Sequence, residues 1–275
     1  MKPIIVADSS CDLNDVLAKE VAIQRVPFAL TSNGHHYVDD ETMDIKAFLA
    51  DIDASEEVTQ SAAMSPQHFI NAVGDAEEAF LITITGRLSS TYNNACMAAR
   101  EMREAGKKVH VFDSQAASAG ETSYMFRIHQ AIEAGMTFEE IAAKEAEIAQ
   151  TNYTYFILNN YSTLTKSGRL PRIAGNILTS LSICPVCRGV NGEIGLKSIA
   201  RGMDKGVKRL AQHIAAEAVD FSQRTLFITH IDDPERAEQV KEEILKLSPF
   251  PRVEIMAGTG LNTCYANRGG IIIGF

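Results

Sequence analysis

Three apolar runs in the first half of the chain each end in polar side chains, and this pattern limits the fold more than any other feature. The runs are IIVADSS at 4–10, FLITITG at 80–86 and VHVFDS at 109–114. Nearly continuous apolar residues are typical of parallel strands that are buried on both faces. The sequence therefore predicts an α/β domain with a doubly wound parallel sheet in the N-terminal half.

Helix start signals lie between and after these runs. A serine before a proline and an aspartate before a proline each combine an N-cap with proline at the first helical position. A threonine followed three residues later by glutamate is a capping box. The three signals begin at Ser65, Asp233 and Thr137. Alternating strands and helices support the α/β assignment.

The character of the sequence changes after residues 151–160. A helical, basic, glycine-punctuated segment at 162–188 leads to Asn191-Gly192, a pair typical of a hairpin turn. Strands are predicted at EIGLKSIA, TLFITH, RVEIMAG and GIIIGF, with helices around 204–219 and after Asp233. We predict an N-terminal domain at 1–152 and a C-terminal α/β domain at 153–275, whose sheet is mixed or antiparallel with helices to one side.

Charge is distributed unevenly along the chain. The formal net charge of −9 argues against a nucleic-acid binder, because neutralising phosphates needs a basic face. Yet the segment from Lys166 to Arg209 holds nine Lys and Arg against two acidic residues. A local basic surface on an acidic protein indicates a specific anionic partner, although each of these side chains alone is as readily an ordinary solvated residue.

Cysteine usage and hydropathy indicate the compartment. The five cysteines are odd in number and scattered, which suits reduced thiols. Cys184 and Cys187 form a CxxC, but no second ligand pair accompanies it, so we expect no metal site. No stretch approaches the roughly 20 apolar residues that span a bilayer, and the N-terminus lacks the long apolar region of a secretory signal. We expect a cytoplasmic protein with no stable membrane insertion.

A loop rich in hydroxyl groups, TITGRLSSTYNNA at 83–95, follows the second apolar run. Ligands of open α/β sheets bind at the carboxyl ends of the strands, where this loop lies. It lacks the GxSxG of a nucleophile elbow, and neither a P-loop nor a GxGxxG motif occurs. Hydroxyl donors near a helix N-terminus suit a carboxylate. Ser89 is also a good N-cap, so binding and capping both stay open for it.

Further segments join this loop in a recognisable order. They are IIVADSSCDL, the stretch VAIQRVPFALTSNGHHYVDD with Tyr37 and Asp39, VFDSQAASAG, LTKSGRL and ARGMDKGVKRL. Each is a modest signal alone. Together they resemble the DegV proteins, a family of fatty-acid-binding proteins that includes the binding subunit of bacterial fatty acid kinase. The resemblance covers essentially the whole chain.

The resemblance implies a long-chain fatty acid whose tail lies in an apolar tunnel near the domain interface, with its carboxylate at the tunnel's end. One carboxylate contact of the family falls on Ser89. The other falls on Ser61 when QSAAMSP is anchored at its serine-proline pair, whereas Thr59 fits only with a gap. The family's closing G-T-H-x-G-P-G-like loop is altered here, and Cys264 is assigned to its histidine position.

The same resemblance implies roles outside the ligand site. Arg169 and Arg201, both in the basic segment, are expected to contact the catalytic subunit of the kinase and not the lipid. We therefore expect a carrier with no catalytic residue and no cofactor, which presents a fatty acid to a separate ATP-dependent kinase that makes the acyl phosphate. The alternative is an acyl esterase or thioesterase using Ser89 or Cys264. A lipid-sensing regulator is a third hypothesis, although no DNA-binding element is recognisable.

Overall fold

The structure is a computed structural model that describes residues 2–170 and 183–275. In the N-terminal half the strands are β1 Ile4–Asp8, β2 Ile23–Val26, β3 Ala29–Ser32, β4 His35–Val38, β5 Gln60–Ala62, β6 Glu78–Thr83 and β7 Lys108–Asp113. The helices of this half are α1 Asp15–Glu20, α2 Ile45–Ala54, α3 Pro66–Val73, α4 Thr91–Glu104, α5 Ala119–Glu133, α6 Phe138–Ala143 and α7 Glu145–Gln150.

The predicted parallel sheet is confirmed. It has the order β2-β1-β6-β7 with every pairing parallel, and the three apolar runs supply β1, β6 and β7. A small antiparallel sheet, β4-β3-β5, is an addition to the predicted fold. Its strand β4 begins with two exposed histidines and shows no alternating apolar pattern, so the sequence gave little signal for it.

The C-terminal half forms a mixed sheet, as predicted. Its described strands are β8 Thr154–Ile157, β9 Ile183–Val190, β10 Glu193–Arg201, β11 Thr225–His230, β12 Arg252–Ala257 and β13 Ile271–Gly274. Their order is β10-β9-β8-β13-β11-β12, in which β11 and β12 are parallel and the other pairs antiparallel. The described helices are α8 Ser162–Lys166, α9 Met203–Ala215, α10 Pro234–Leu245 and α11 Gly260–Ala266.

The segment predicted to be helical at 162–188 is partly wrong. Helix α8 occupies its start, but β9 begins at Ile183, so residues 183–188 are strand. Residues 171–182 of this segment lie outside the described residues. The hairpin between β9 and β10 is confirmed. Asn191 and Gly192 have φ of 51° and 81°, the two positive values that a type I′ turn requires.

Helix α5 packs between the two large sheets. Every residue of α5 from Ala119 to Phe126 is buried, and the helix contacts β6 on one side and β11 and β13 on the other. Phe227 and Ile272 face α5, whereas their strand neighbours face α9 and α10, because side chains alternate along a strand. The predicted one-sided covering holds only for α9 and α10, since α5 and α8 pack on the second face.

The same packing joins the two predicted domains. Strand β7 is the last of the parallel sheet and β8, from Thr154, is the first of the mixed sheet, so the sheets divide where the domain boundary is predicted. One buried cluster nevertheless contains Ile5 and Phe80 from the first half and Phe227 and Ile272 from the second. The boundary at 152/153 therefore stays a prediction about chain organisation.

Residues 2–170 and 183–275 contain neither a helix that could span a membrane nor a cluster of metal ligands. No helix there is long and apolar enough to cross a membrane. No group of three or more His, Cys, Asp or Glu there could hold a metal ion. Cys184 and Cys187 lie on β9 three residues apart, so they face opposite sides of the sheet and pack in different buried clusters.

Candidate functional site

A cavity of about 870 Å³ lies between the parallel and the mixed sheet. Its walls are mostly apolar, with Arg169 and Glu193 as the charged side chains among the described residues that line it. The apolar lining comes from both halves of the chain: Phe28, Ile84, Leu88, Phe156, Leu158, Leu164, Ile194, Leu261 and Ile272. Small-molecule sites are typically lined by apolar side chains with a few polar groups, so the composition of this cavity suits an apolar ligand.

The polar strand ends of the parallel sheet have two different roles. The residues after β6 and β7 that line the cavity are Ile84, Thr85, Leu88, Ser89 and 115–118, as predicted from the position of their strands. The end of β1 does not line it. Asp8 accepts hydrogen bonds from the backbone N–H groups of Ser10 at 2.9 Å and Ile84 at 2.7 Å. Burial raises the pKa of Asp8 to about 7. Because Asp8 is fully buried and holds these two N–H groups, this strand end is structural.

Four polar side chains meet at one part of the cavity. The hydroxyls of Ser61 and Tyr265 are 2.8 Å apart, and Ser89 lines the wall with them. The guanidinium of Arg169 lies over the Tyr265 ring at 4.9 Å from its centroid. Burial raises the pKa of Tyr265, so it stays a neutral hydroxyl donor. Three hydroxyls beside a half-buried cation are a favourable environment for a carboxylate.

Ser61 and Ser89 both lie at this polar end of the cavity, and Thr59 does not. The Thr59 hydroxyl is buried elsewhere and lies 3.0 Å from the hydroxyl of Ser32. Of the two alternatives left open by the sequence, Ser61 is therefore the one that reaches the cavity. It lies on β5, one strand of the antiparallel sheet that the sequence did not predict.

Ser89 combines the two roles that the sequence left open. The N-cap of α4 is Ser90, one residue later than predicted, and its side chain makes no capping hydrogen bond. The hydroxyl of Ser89 instead accepts a hydrogen bond from the backbone N–H of Thr91 at 3.3 Å and lies 2.8 Å from the Thr91 hydroxyl. Ser89 thus supports the first turn of α4 while it lines the cavity.

Cys264 is not at the cavity, which corrects the sequence assignment. Helix α11 presents Leu261, Asn262, Tyr265 and Ala266 to the cavity, residues that share one face at a helical period of 3.6. Cys264 lies on another face, is fully buried and packs in the core of the N-terminal half. Tyr265 occupies the position at the cavity that the sequence analysis assigned to Cys264.

The sequence contains a signal that would have found Tyr265. In G-T-H-x-G-P-G the histidine stands four residues before the last glycine. Counting back four residues from Gly269 gives Tyr265, whereas taking Thr263 as the threonine of the motif gives Cys264. The loop differs from the family pattern between these points, so only the glycine after the loop keeps the register with the helix.

The two arginines assigned to a partner are in different surroundings. Arg169 is half-buried, lines the cavity and donates a hydrogen bond from Nε to the carbonyl of Leu88 at 3.0 Å. Arg201 is exposed at the end of β10 and lines neither this cavity nor its neighbour. The expectation that both act away from the ligand therefore fits the position of Arg201, whereas Arg169 belongs to the polar end of the cavity.

A second cavity adjoins the polar end of the first. It shares Ser61, Leu88, Ser89 and Arg169 with the apolar cavity. Its remaining described lining is Ala63, Gly86, Arg87, Ser90 and Asn93. The shared residues therefore form a boundary with an apolar space on one side and a polar, basic space on the other.

Comparison with known proteins agrees with the fold. A model of the DegV protein family matches residues 2–273. The chain belongs to the DegV family. A DegV domain-containing protein of Streptococcus pyogenes serotype M1 is 31% identical over 276 residues, which cover 98% of each chain.

Solved DegV structures have the same fold as this chain. The crystal structure of a DegV family protein from Ruminococcus gnavus with vaccenic acid has a TM-score of 0.95 and 30% identity, and covers 100% of this chain and 99% of that one. The Fatty Acid Kinase (Fak) B3 protein of Streptococcus pneumoniae, loaded with linoleic acid, has a TM-score of 0.92 and 27% identity, with 100% and 99% covered. Both of these DegV proteins hold a fatty acid.

Two buried aspartates hold α11 in this DegV protein, and sequence reasoning missed their role. Asp39 accepts hydrogen bonds from the backbone N–H groups of Gly260 at 2.6 Å and Leu261 at 2.9 Å. Asp12 accepts from the backbone N–H of Thr259 at 2.8 Å and the side chain of Asn262 at 2.9 Å. These contacts cross more than 200 residues of sequence, so only the fold reveals that both carboxylates position the helix that carries Tyr265.

The thiol of Cys264 is expected to be unreactive in the native protein. It is fully buried, and burial raises its pKa to about 12, so almost no nucleophilic thiolate forms near neutral pH. Iodoacetamide at about pH 8, followed by peptide mass spectrometry, should label the half-buried Cys96 first and Cys264 only after unfolding. Rapid labelling of Cys264 in the folded protein would contradict this placement and revive a thioester role.

Proposed function

We propose that this protein binds one long-chain fatty acid, with the tail in the apolar cavity and the carboxylate at Ser61, Ser89, Tyr265 and Arg169. The observation that carries the proposal is the cavity itself, an apolar space of about 870 Å³ with hydroxyls and one cation gathered at one part of it. The lipids held by related DegV structures support the same ligand class.

The tail supplies most of the binding free energy in this proposal. Each buried methylene contributes roughly 0.8 kcal/mol, so a chain of ten or more methylenes outweighs the head-group contacts. A net hydrogen bond to a charged group contributes about 1.5–3 kcal/mol. The hydroxyls and Arg169 therefore act chiefly by fixing where the carboxylate lies and which way it faces.

We further propose that the bound protein presents the fatty acid carboxylate to a separate ATP-dependent kinase. There a carboxylate oxygen forms a bond to the γ-phosphorus of ATP, the bond from that phosphorus to its bridging oxygen breaks, and ADP leaves with the electron pair. Similarity to the Fak B3 protein supports such a partner. Arg201 is exposed and lines neither cavity, and it is the residue that we assign to the kinase contact.

The hydrolase alternative has no support from the geometry. A serine nucleophile needs a base within hydrogen-bond reach, usually histidine. None of the described residues that line either cavity is a histidine, and the hydroxyl of Ser89 is 2.8 Å from that of Thr91. Cys264, the other proposed nucleophile, is outside the cavity.

Mass spectrometry of solvent-extracted protein tests the proposal. Freshly purified protein is expected to release close to one fatty acid per chain, because burial of the tail in the apolar cavity makes its release slow. Protein that is folded, carries no fatty acid and takes up none from added lipid would contradict the carrier function.

The kinase contact is tested in the same preparation by adding a fatty acid kinase catalytic subunit and ATP. Arg201→Ala should keep its fatty acid and lower the rate of acyl phosphate formation at least about 10-fold, the effect of losing one charged interface contact. Arg209→Ala, another exposed arginine of the basic segment, is the matched control. Equal rates for both variants would show that Arg201 has no such role.

A further inference from the structure

A third pocket lies between α5 and the start of β11. Its polar lining is Ser123, Arg127, Gln130, Gln223, Arg224 and Thr225, and none of the described residues that line it also lines either of the other cavities. Gln130 and Gln223 are exposed, so a solute can reach the pocket. Its described lining includes two guanidinium groups and no acidic side chain. The pocket therefore has the composition of an anion site.

The guanidinium of Arg224 lacks an acceptor for one of its nitrogens. The residue is half-buried, and its Nη1 atom is buried without a hydrogen-bond partner in residues 2–170 and 183–275. Native proteins rarely leave a buried charged donor without an acceptor, because removing such a group from water costs more than removing a neutral one. An anion in the pocket would compensate the charge of this side chain.

Arg127, on α5, is held in place by the end of α7. It donates hydrogen bonds from Nη1 to the carbonyl of Ile148 at 3.1 Å and from Nη2 to the hydroxyl of Thr151 at 2.9 Å. These two bonds fix the position of the guanidinium and use two of the five N–H groups that an arginine carries. The other N–H groups can donate to a ligand without breaking either bond.

The two guanidinium groups repel each other and share one nearby carboxylate. Burial, followed by the charge of Arg224, lowers the pKa of Arg127 to about 10, and burial also lowers the pKa of Arg224. The carboxylate of Glu147 acts on both in the opposite direction, but it is paired with Lys144 at 3.1 Å and does not line the pocket. Both arginines stay charged near neutral pH, so the pocket has an excess of positive charge.

We propose that this pocket binds a phosphate-type dianion, with one phosphoryl group held between the guanidinium groups of Arg127 and Arg224. Arginine binds phosphate through paired N–H groups in a planar fork, and two such groups match the two charges of a phosphomonoester. The hydroxyls of Ser123 and Thr225 are further donors in the same pocket. The site is outside the apolar cavity, so the inference goes beyond fatty acid binding and does not depend on it.

The pocket also joins the two halves of the chain. Arg127 lies on α5 in the first half, and Arg224 precedes β11 in the second. The rings of Phe126 and Phe227, with centroids 5.4 Å apart, give the pocket apolar lining from both halves, and charges beside apolar groups interact more strongly than in water. A bound dianion is therefore expected to stabilise the packing of α5 on the mixed sheet.

Isothermal titration calorimetry with inorganic phosphate and with phenyl phosphate tests the site, against sodium chloride of the same ionic strength. The wild-type protein is expected to bind at least one of the two phosphates with a Kd below about 1 mM and to show no saturable binding of chloride. Flotation with phosphatidylcholine vesicles that contain or lack phosphatidic acid separates the two sources of a phosphoryl group. Binding in the titration assigns a soluble phosphomonoester, and binding only to vesicles with phosphatidic acid assigns a lipid headgroup.

Variants of Arg224 identify the cationic ligand. Arg224→Met keeps the apolar stem and removes the charge, so it should lower the affinity for phosphate at least about 10-fold, and Arg224→Lys should restore part of the loss. Arg100→Met is the matched control, because Arg100 is an exposed arginine on α4 paired with Glu104, outside the pocket. Fatty acid affinity should stay within about 2-fold in all three variants, which also shows that they are folded.

Thermal unfolding separates a ligand role of Arg224 from a purely structural one. Without phosphate, Arg224→Met should unfold at the wild-type temperature or above it, because the substitution removes a desolvated charge with an unpaired donor. Saturating phosphate should raise the Tm of the wild-type protein by at least about 2 °C and leave that of Arg224→Met unchanged. A structural arginine would give the opposite pattern, a lower Tm without phosphate and the same response to it.

Each contrary outcome has a distinct meaning. Wild-type protein that binds neither soluble phosphate nor vesicles with phosphatidic acid overturns the dianion site. Equal phosphate affinity in the wild-type protein and Arg224→Met overturns the assignment to this pocket. Failure of the wild-type protein to bind a fatty acid overturns the proposed function alone, because the two sites share no described residue.

Discussion

Replacing Gly189 with phenylalanine is expected to lower the affinity for a long-chain fatty acid at least about 100-fold. Gly189 lies on β9 and lines the apolar cavity. A Cβ at this position would meet Thr154 Cβ at 3.5 Å and the carbonyl oxygen of Gln115 at 3.9 Å, which are ordinary contacts. The backbone can therefore accept a side chain, and the phenyl ring must project into the space that the tail would occupy.

The size of the effect follows from the displaced tail. Excluding three to four methylenes, at roughly 0.8 kcal/mol each, costs about 2.7 kcal/mol, or 100-fold. Titration with a fluorescent fatty acid measures it, and thermal unfolding checks the fold. Gly195→Phe is the matched control, because Gly195 lies on the neighbouring strand, outside both cavities. If both variants bind the fatty acid as the wild type does, the tail does not occupy this cavity.

Replacing Asp12 with alanine is expected to lower the free energy of unfolding by about 3–5 kcal/mol. The Asp12 carboxylate is fully buried and accepts hydrogen bonds from the hydroxyls of Ser118 at 2.5 Å and Thr229 at 2.8 Å, beside its bonds to Thr259 and Asn262. Alanine leaves the donors without an acceptor, and each buried group that cannot reorient costs about 1–3 kcal/mol.

Urea denaturation measures this change, with Asp75→Ala, an exposed aspartate, as the control that should shift the free energy of unfolding by less than about 0.5 kcal/mol. Because Thr229, Thr259 and Asn262 belong to the C-terminal half, the loss should also loosen the contact between the halves. Fatty acid affinity should fall with it, since α11 carries Tyr265. A free energy of unfolding equal to that of the wild type would show that the network contributes nothing.

Local patterns in the sequence predicted the elements that depend on neighbouring residues. The apolar runs that form β1, β6 and β7 are nearly continuous because both faces of each strand are buried. Successive residues, and not only alternate ones, are therefore apolar. The Asn191-Gly192 turn is readable for a similar reason, since few residues accept two successive positive φ angles.

The site depended less on local pattern. Ser89 was found because it follows a strand end, where ligands of such sheets bind. Ser61 and Cys264 were placed by alignment to a family motif, which located Ser61 at the cavity but shifted the end of the chain by one residue. On a helix a shift of one residue turns the side chain by about 100°, enough to move Tyr265 out of the cavity and put Cys264 there in its stead.

The sequence by itself determined the parallel sheet, the hairpin and the helix starts, because each depends on residues that lie close together in the chain. It also determined the resemblance to DegV proteins, because the family's motifs occur in the same order. The tertiary structure alone decided which hydroxyls meet. Ser61, Ser89, Arg169 and Tyr265 come from segments far apart in sequence, and their convergence depends on α5 lying between two sheets and on Asp12 and Asp39 holding α11. Contacts between residues so far apart in sequence arise from tertiary packing, which produces no repeating pattern in the sequence from which they could be predicted.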